Sequence, residues 1–274
     1  MRVLPLILSF ASALTLASPL IAFLREGGHV RTNYRGASLP CPLGLLIPAA
    51  ALVALVPLGL LAGLFDSDSL GIAGMYFILP VAALGIADDA YAGPSRGLRG
   101  HGRAALRGSF STGALKAVGT LGIALAWSAL TQPDAGRFLL VAAVLVLATN
   151  LFNLFDLRPG RSVKGLVLLG IGLTLGSLDI DPLLDIGLWL GPALVVGALD
   201  LREQGMLGDT GSNVIGAVAG VWLVLTLSSV LALAIAAAVL AAITIYGELR
   251  SINTLVERAP GLRHLDSLGR VHRV

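Results

Sequence analysis

Residues 3–24 and 43–64 contain no charged side chain, and about 20 apolar residues suffice for an α-helix to cross the hydrocarbon of a bilayer. Near-unbroken apolar runs of that length mark a polytopic helical membrane protein. Composition agrees. The chain is 56% hydrophobic and 13% charged, with a mean hydropathy of +0.88, whereas soluble domains carry about 25% charged residues. The expected fold is all-α: a polytopic transmembrane helical bundle forming one integral membrane domain over 1–274. Nine spans are expected, at 3–24, 43–64, 70–87, 113–130, 136–152, 164–178, 183–200, 211–229 and 230–249. Only Ser228 and Ser229 divide the last two.

Charge orients the bundle. The connections after the first, third, fifth and seventh spans, with the tail, hold Arg25, Arg31, Arg35, Arg96, Arg99, Arg103, Arg107, Arg158, Arg161, Lys164, Arg202, Arg250, Arg258, Arg263, Arg270 and Arg273. Lys116 opens the fourth span on the same side. Arg2 and Arg137 lie opposite, with Asp66, Asp68, Asp134, Asp179 and Asp181. Cations accumulate on the cytoplasmic side, so the N-terminus is expected outside and the tail, 248–274, in the cytoplasm of a cell-membrane protein. The first segment has more positive charge after it than before it, the reverse of a signal peptide, and is expected to be a retained span. A basic balance of this kind matches an anionic lipid surface and requires no nucleic-acid partner. The single Cys41 excludes an internal disulfide.

Four polar stretches stand out against this background, and the charge topology puts all four at one membrane surface. In LGIADDAYAG, Asp88 and Asp89 end the third span side by side, where like charges repel unless a cation relieves them; Mg²⁺ or a phosphate-handling base would use such a pair, and a solvated helix end would also display it. In NLFNLFDLRPGR, Asn150, Asn153 and Asp156 recur at helical spacing, followed by Arg158 and Arg161, cations suited to phosphate oxygens. In MLGDTGSNVIG, a Gly-rich turn leads into a helix whose free N–H groups can meet an anion, while Asp209 can equally be a plain N-cap. The basic stretch RGLRGHGRAALRGSFSTGALK ends in Lys116, a cation at the unfavourable end of a helix dipole. Carboxylates, amides, Gly-rich helix starts and cations at one surface suggest Mg²⁺-assisted chemistry on a lipid phosphate.

The order D-D, a later Lys, N-x-x-N-x-x-D, then G-D-x-G-S-x-x-x-G resembles the polyprenyl-phosphate N-acetylhexosamine-1-phosphate transferase superfamily (glycosyltransferase family 4). That group includes the phospho-N-acetylmuramoyl-pentapeptide and undecaprenyl-phosphate N-acetylglucosamine-1-phosphate transferases. The likeness runs from about residue 33 to 216 and includes NYRGASLP. It implies transfer of a sugar-1-phosphate from a UDP-sugar to undecaprenyl phosphate with release of UMP, supplying a lipid-linked precursor for cell-wall glycan such as peptidoglycan. It implies Asp88, Asp89 and Asp209 as catalytic residues, with Asp88 nearest the lipid phosphate, and Mg²⁺ on Asp209 and Asp156. It further implies substrate contacts from Lys116, Asn150, Asn153, Asp156, Arg158, Arg161, Gly211 and Ser212. The expected partners are undecaprenyl phosphate, a nucleotide sugar and membrane lipid, and a homodimer is compatible with them.

Three features depart from the family pattern. Where D-G-x-D-G usually continues, Asp156 is followed by LRPGR, with Pro159 in place of the second Asp. The late loop, ERAPGLRHLDSLGR, has His264 but no His-rich motif. Larger members have ten or more spans. These departures keep two other readings open: a catalytically weak homologue that binds lipid phosphate or partners in envelope assembly, and an ion-coupled transporter. The transporter is disfavoured because the acids cluster at one surface and no inverted repeat is evident.

Overall fold

The computed structural model describes residues 2–65, 72, 74–91, 112–132 and 134–271. The stretches holding Asp66, Asp68, Arg96, Arg99, Arg103, Arg107 and Arg273, and residues 70, 71 and 73 of the third expected span, lie outside the described residues.

The chain is predominantly helical. In order it forms α1 (Leu4–Glu26), β1 (Val30–Thr32), β2 (Ser38–Pro40), a 3-10 turn at Leu43–Leu45 leading into α2 (Leu46–Phe65), and α3 (Met75–Tyr91). Then come α4 (Thr112–Thr131), α5 (Ala135–Phe155), α6 (Arg161–Ser177), the short α7 (Asp181–Asp185), α8 (Gly187–Leu201), α9 (Gly208–Thr226), α10 (Val230–Leu249), α11 (Ile252–Arg258) and α12 (Pro260–Ser267). Eight of the expected spans overlap one α-helix each, while 183–200 is divided between α7 and α8 at Ile186. Among the described residues five segments, Leu4–Glu26, Leu43–Leu64, Thr112–Thr131, Ala135–Phe155 and Val230–Leu249, are long and apolar enough to cross a bilayer. Their outward faces carry apolar side chains such as Val56, Leu60, Leu231 and Ile235, as lipid rather than water demands. The two-serine break between the last two expected spans is present: the Ser229 hydroxyl accepts the Ala232 N–H at 3.0 Å and starts α10.

One element departs from the all-α expectation. β1 and β2 form an antiparallel hairpin with Arg31 opposite Leu39. Asn33 makes it turn, because its side-chain oxygen accepts the N–H groups of Arg35 and Ala37, both at 2.9 Å, and Gly36 takes φ +83°. With three residues to a strand, the hairpin left no period-2 signature to detect.

α9 is the axis of the bundle, buried from Thr210 through Val224 and packed against α3, α5, α6 and the 3-10 turn. Small residues allow that approach. A Cβ on Gly44 would lie 2.1 Å from the Gly211 nitrogen, and one on Gly85 would lie 2.6 Å from the Thr210 Cα. The two ends of the bundle separate the charges. At one end Arg2 pairs with Asp181 and Asp185 at 2.7 and 3.1 Å, and Arg137 donates to the Leu227 and Ser228 carbonyls. The remaining ion pairs among the described residues gather at the other.

Candidate functional site

Gly85 sets the geometry of α3. It places that helix against the first turn of α9, and residues three and four further on share its face. Asp88 and Asp89 therefore both arrive at the start of α9, but they meet different partners. The Asp88 carboxylate lies 2.8 Å from Lys116 Nζ, at the opening of α4. The same ammonium lies 2.7 Å from Asp209 Oδ1. Lys116 thus joins the acid that ends α3 to the acid that begins α9, across separations of 28 and 93 residues in sequence.

Asp89 does something else. Its carboxylate accepts the N–H groups of Asp209 and Thr210 at 3.1 and 2.8 Å and the Thr210 hydroxyl at 2.7 Å. Arg31, reaching over from β1, adds an ion pair at 3.1 Å. An acidic side chain from one helix thereby caps the N-terminus of another, where the dipole favours negative charge. α9 needs the service, since Leu207 occupies its N-cap position and gives no side-chain bond. Two expectations change. Asp209 is not the N-cap of its own helix, because its carboxylate is turned to Lys116. The leading N–H groups of α9 are not open to a phosphate, because Asp89 already holds two of them. Gly208 makes the close approach possible: its φ is +71°, and a Cβ there would fall 2.8 Å from Asp89 Oδ2.

The end of α5 completes the cluster. Asn153 Oδ1 accepts the Ser212 hydroxyl at 2.9 Å, with the Gly208 carbonyl a competing acceptor at 3.0 Å. Asp156 follows as the C-cap of α5. Burial, and then the facing carboxylates of Asp200, Asp209 and Asp89, hold the Asp156 carboxyl well above the usual carboxylate range. Asn150 sits a turn deeper, half-buried, and takes no part in these bonds. Gly211 and Ser212 are packed inside the bundle, against Gly44 and Asn153. They shape the site from beneath and offer no surface that a donor can touch.

The two arginines part company. Arg158 stacks over the Tyr34 ring, 4.3 Å from its centroid, beside a small pocket lined by Tyr34, Asp156, Arg158, Asp200 and Met206. Arg161 is not free for a phosphate. Its guanidinium is buried and forks onto Asp266 at 2.8 and 3.0 Å, while its remaining nitrogen donates to Asn253 at 2.7 Å.

Several supporting residues are not among those the sequence motifs single out. Buried Asp200, in the last turn of α8, accepts the Gly160 N–H at 2.6 Å and also that of Leu207, tying the loop after α5 to the loop before α9. An acid at a helix C-terminus is electrostatically misplaced, and that misplacement was the available clue. The segment after β2 pairs with the same loop: Met206 donates to the Pro40 carbonyl, Leu43 to that of Met206 and Gly44 to that of Leu207, at 2.8, 2.8 and 3.0 Å. Glu203, at φ 54°, accepts Asn33 at 3.0 Å and pairs with Arg35 at 3.4 Å, securing the hairpin.

Among the described residues no three His, Cys, Asp or Glu side chains form a closed metal cage. Mg²⁺ does not require one, because it keeps several waters and binds through one or two carboxylates plus substrate phosphates. Burial is the main cause that lifts Asp156, and the negative field of Asp200, Asp209 and Asp89, which adds to it, suits an incoming divalent cation.

No protein-family model matches the sequence, and no curated protein matches it. The transferase resemblance therefore rests on the sequence motifs alone.

Proposed function

We propose that the chain is a membrane-embedded, Mg²⁺-dependent phosphotransferase. It passes a sugar-1-phosphate, an N-acetylhexosamine phosphate by resemblance, from a UDP-sugar to undecaprenyl phosphate, at the cytoplasmic face of a nine-span bundle. The single observation that carries this reading is Lys116 held between Asp88 and Asp209. Three motifs far apart in sequence supply one cation and two carboxylates within ion-pair distance, charges of the kind that position and stabilise displacement at a diphosphate.

Lys116 is the group placed to meet the diphosphate, exchanging carboxylate oxygens for phosphate oxygens. Asp88 would orient the lipid phosphate and take its remaining proton. An oxygen of that phosphate forms a bond to the sugar-bearing phosphorus, the bond from that phosphorus to the bridging oxygen breaks, and UMP leaves with the electron pair. Asp209 and Asp156 would hold Mg²⁺, which when bound neutralises charge developing on the transferred group. Asp89 is a positioning residue, because its oxygens are committed to α9 and Arg31. Arg158, half-exposed over Tyr34, is the cation left to the donor side once Arg161 is held by Asp266.

The test is UMP release by purified protein given undecaprenyl phosphate, Mg²⁺ and a panel of UDP-sugars. Asp88→Asn and Asp209→Asn should each abolish it, and activity retained in both would refute the site. The second reading, a lipid-phosphate binder without turnover, is favoured by the capture of Arg161. Tight binding of undecaprenyl phosphate with no UMP from any donor would select it.

A further inference from the structure

α12 is anchored along one edge and open elsewhere. Asp266 receives Arg161 and Arg270, the latter at 2.7 Å, and its carbonyl accepts Lys164 at 2.6 Å. Arg270 in turn donates to the Pro159 carbonyl at 3.0 Å. Behind it, Ile252 is buried against the end of α10 near Gly247. These bonds fix the helix at the end of the bundle that carries the Asp209 cluster. They leave Leu262 and Leu265 exposed at 44% each. Three residues apart on a helix, the two leucines share one face, while Arg263 and His264 turn to the other side.

Exposed apolar side chains also mark the helices that lead into α12. α10 exposes Ile235, Val239 and Leu249, and α11 exposes Leu255, which lies between Leu249 and the two leucines of α12 in sequence. The exposed charges along the same stretch are mainly positive: Arg250, Arg258 and Arg263 against Glu257. Leu262 and Leu265 on one side of α12, with Arg263 and His264 on the other, describe a helix that lies in a membrane interface, and the arginines at 250, 258 and 263 would be attracted to anionic headgroups.

We infer that α11 and α12 form an interfacial arm, with Leu262 and Leu265 seated in an anionic lipid surface while Asp266 ties the arm to the loop carrying Arg158 and Arg161. The inference requires a membrane-embedded chain and is independent of the chemistry at Asp209, so either can fail alone.

The experiment uses the full chain in lipid nanodiscs, with an environment-sensitive fluorophore on Leu262→Cys, Leu265→Cys or, as the polar-face control, His264→Cys. Cys41 does not compete for label, because it is buried and burial pushes its thiol up to about 12. In discs containing phosphatidylglycerol, emission from positions 262 and 265 should shift to shorter wavelength. It should be quenched by lipids spin-labelled near the headgroup and shielded from iodide, while position 264 stays open to iodide. Discs of phosphatidylcholine alone, or the added pair Arg258→Gln and Arg263→Gln, should reduce the shift. Equal iodide access at all three positions in both disc types would overturn the inference. So would shielding at 262 and 265 that persists in detergent and grows with protein concentration, which would mark a second copy as the cover.

Discussion

Replacing Lys116 with Gln should reveal how strongly the cluster depends on its one internal ammonium. Lys116, Asp88 and Asp209 keep 17%, 11% and 28% of their side-chain surface, so solvent screens these charges only in part. Removing one partner from a buried ion pair costs about 3–5 kcal/mol, because the remaining charge stays desolvated. The residual exposure of Asp209 argues for the lower end, about 3 kcal/mol. At about 2–4 °C per kcal/mol for chains of this size, the melting temperature should fall by roughly 6–12 °C. The assay is thermal unfolding of the purified protein in detergent, with and without Mg²⁺. Because the lost charge is local, Asp88→Asn added to Lys116→Gln should restore part of the loss. Millimolar Mg²⁺ should stabilise Lys116→Gln more than the parent. A Lys116→Gln protein as stable as the parent, with no gain from the second substitution or from Mg²⁺, would refute the view of Lys116 as the counter-ion that holds the two carboxylates together.

Three further outcomes follow from the geometry. Burial raises the Asp266 carboxyl, but the guanidinium groups of Arg161 and Arg270 outweigh it and hold its pKa below the usual 3.8; the clamp is therefore fully present above that value and lost as pH falls through the lower, folded one. Limited trypsin digestion at neutral pH should accordingly cut Asp266→Asn after Arg258 or Arg263 much faster than the parent, and tail-probe emission in the parent should stay constant down to about pH 4. The buried Cys41 thiol should resist a thiol reagent at pH 8 until the protein unfolds, since burial pushes it up to about 12; prompt labelling in the native state would contradict the packing. Gly44→Ala should destabilise by about 3 kcal/mol or more, at or beyond the upper end of overpacking costs, because its Cβ would meet the Gly211 backbone at 2.1 Å; a melting temperature equal to that of the parent would exclude that close approach.

The apolar runs determined the membrane class and the positions of the helices, since a span is a local property: about 20 adjacent residues either can or cannot lie in lipid. The motifs likewise marked Asp88, Lys116, Asn153, Asp156 and Asp209 as unusual, because polar groups at the ends of apolar helices are costly without partners. Which partner each one met was decided elsewhere. Asp88 and Asp89 are neighbours of identical chemistry, and only the rotation of α3, set by Gly85 against Thr210, sends one to Lys116 and the other to the first N–H groups of α9. Arg161 has the sequence setting of a phosphate ligand, yet Asp266, 105 residues later, holds its guanidinium. The partners of Asp200 and of the hairpin were hidden for the same reason, as they are hydrogen-bonding groups of distant backbone. Hydrophobic pattern acts over a few turns of one helix, whereas a carboxylate is assigned by whichever donor the packed bundle brings within about 3 Å, and that distance exists only after the helices have docked.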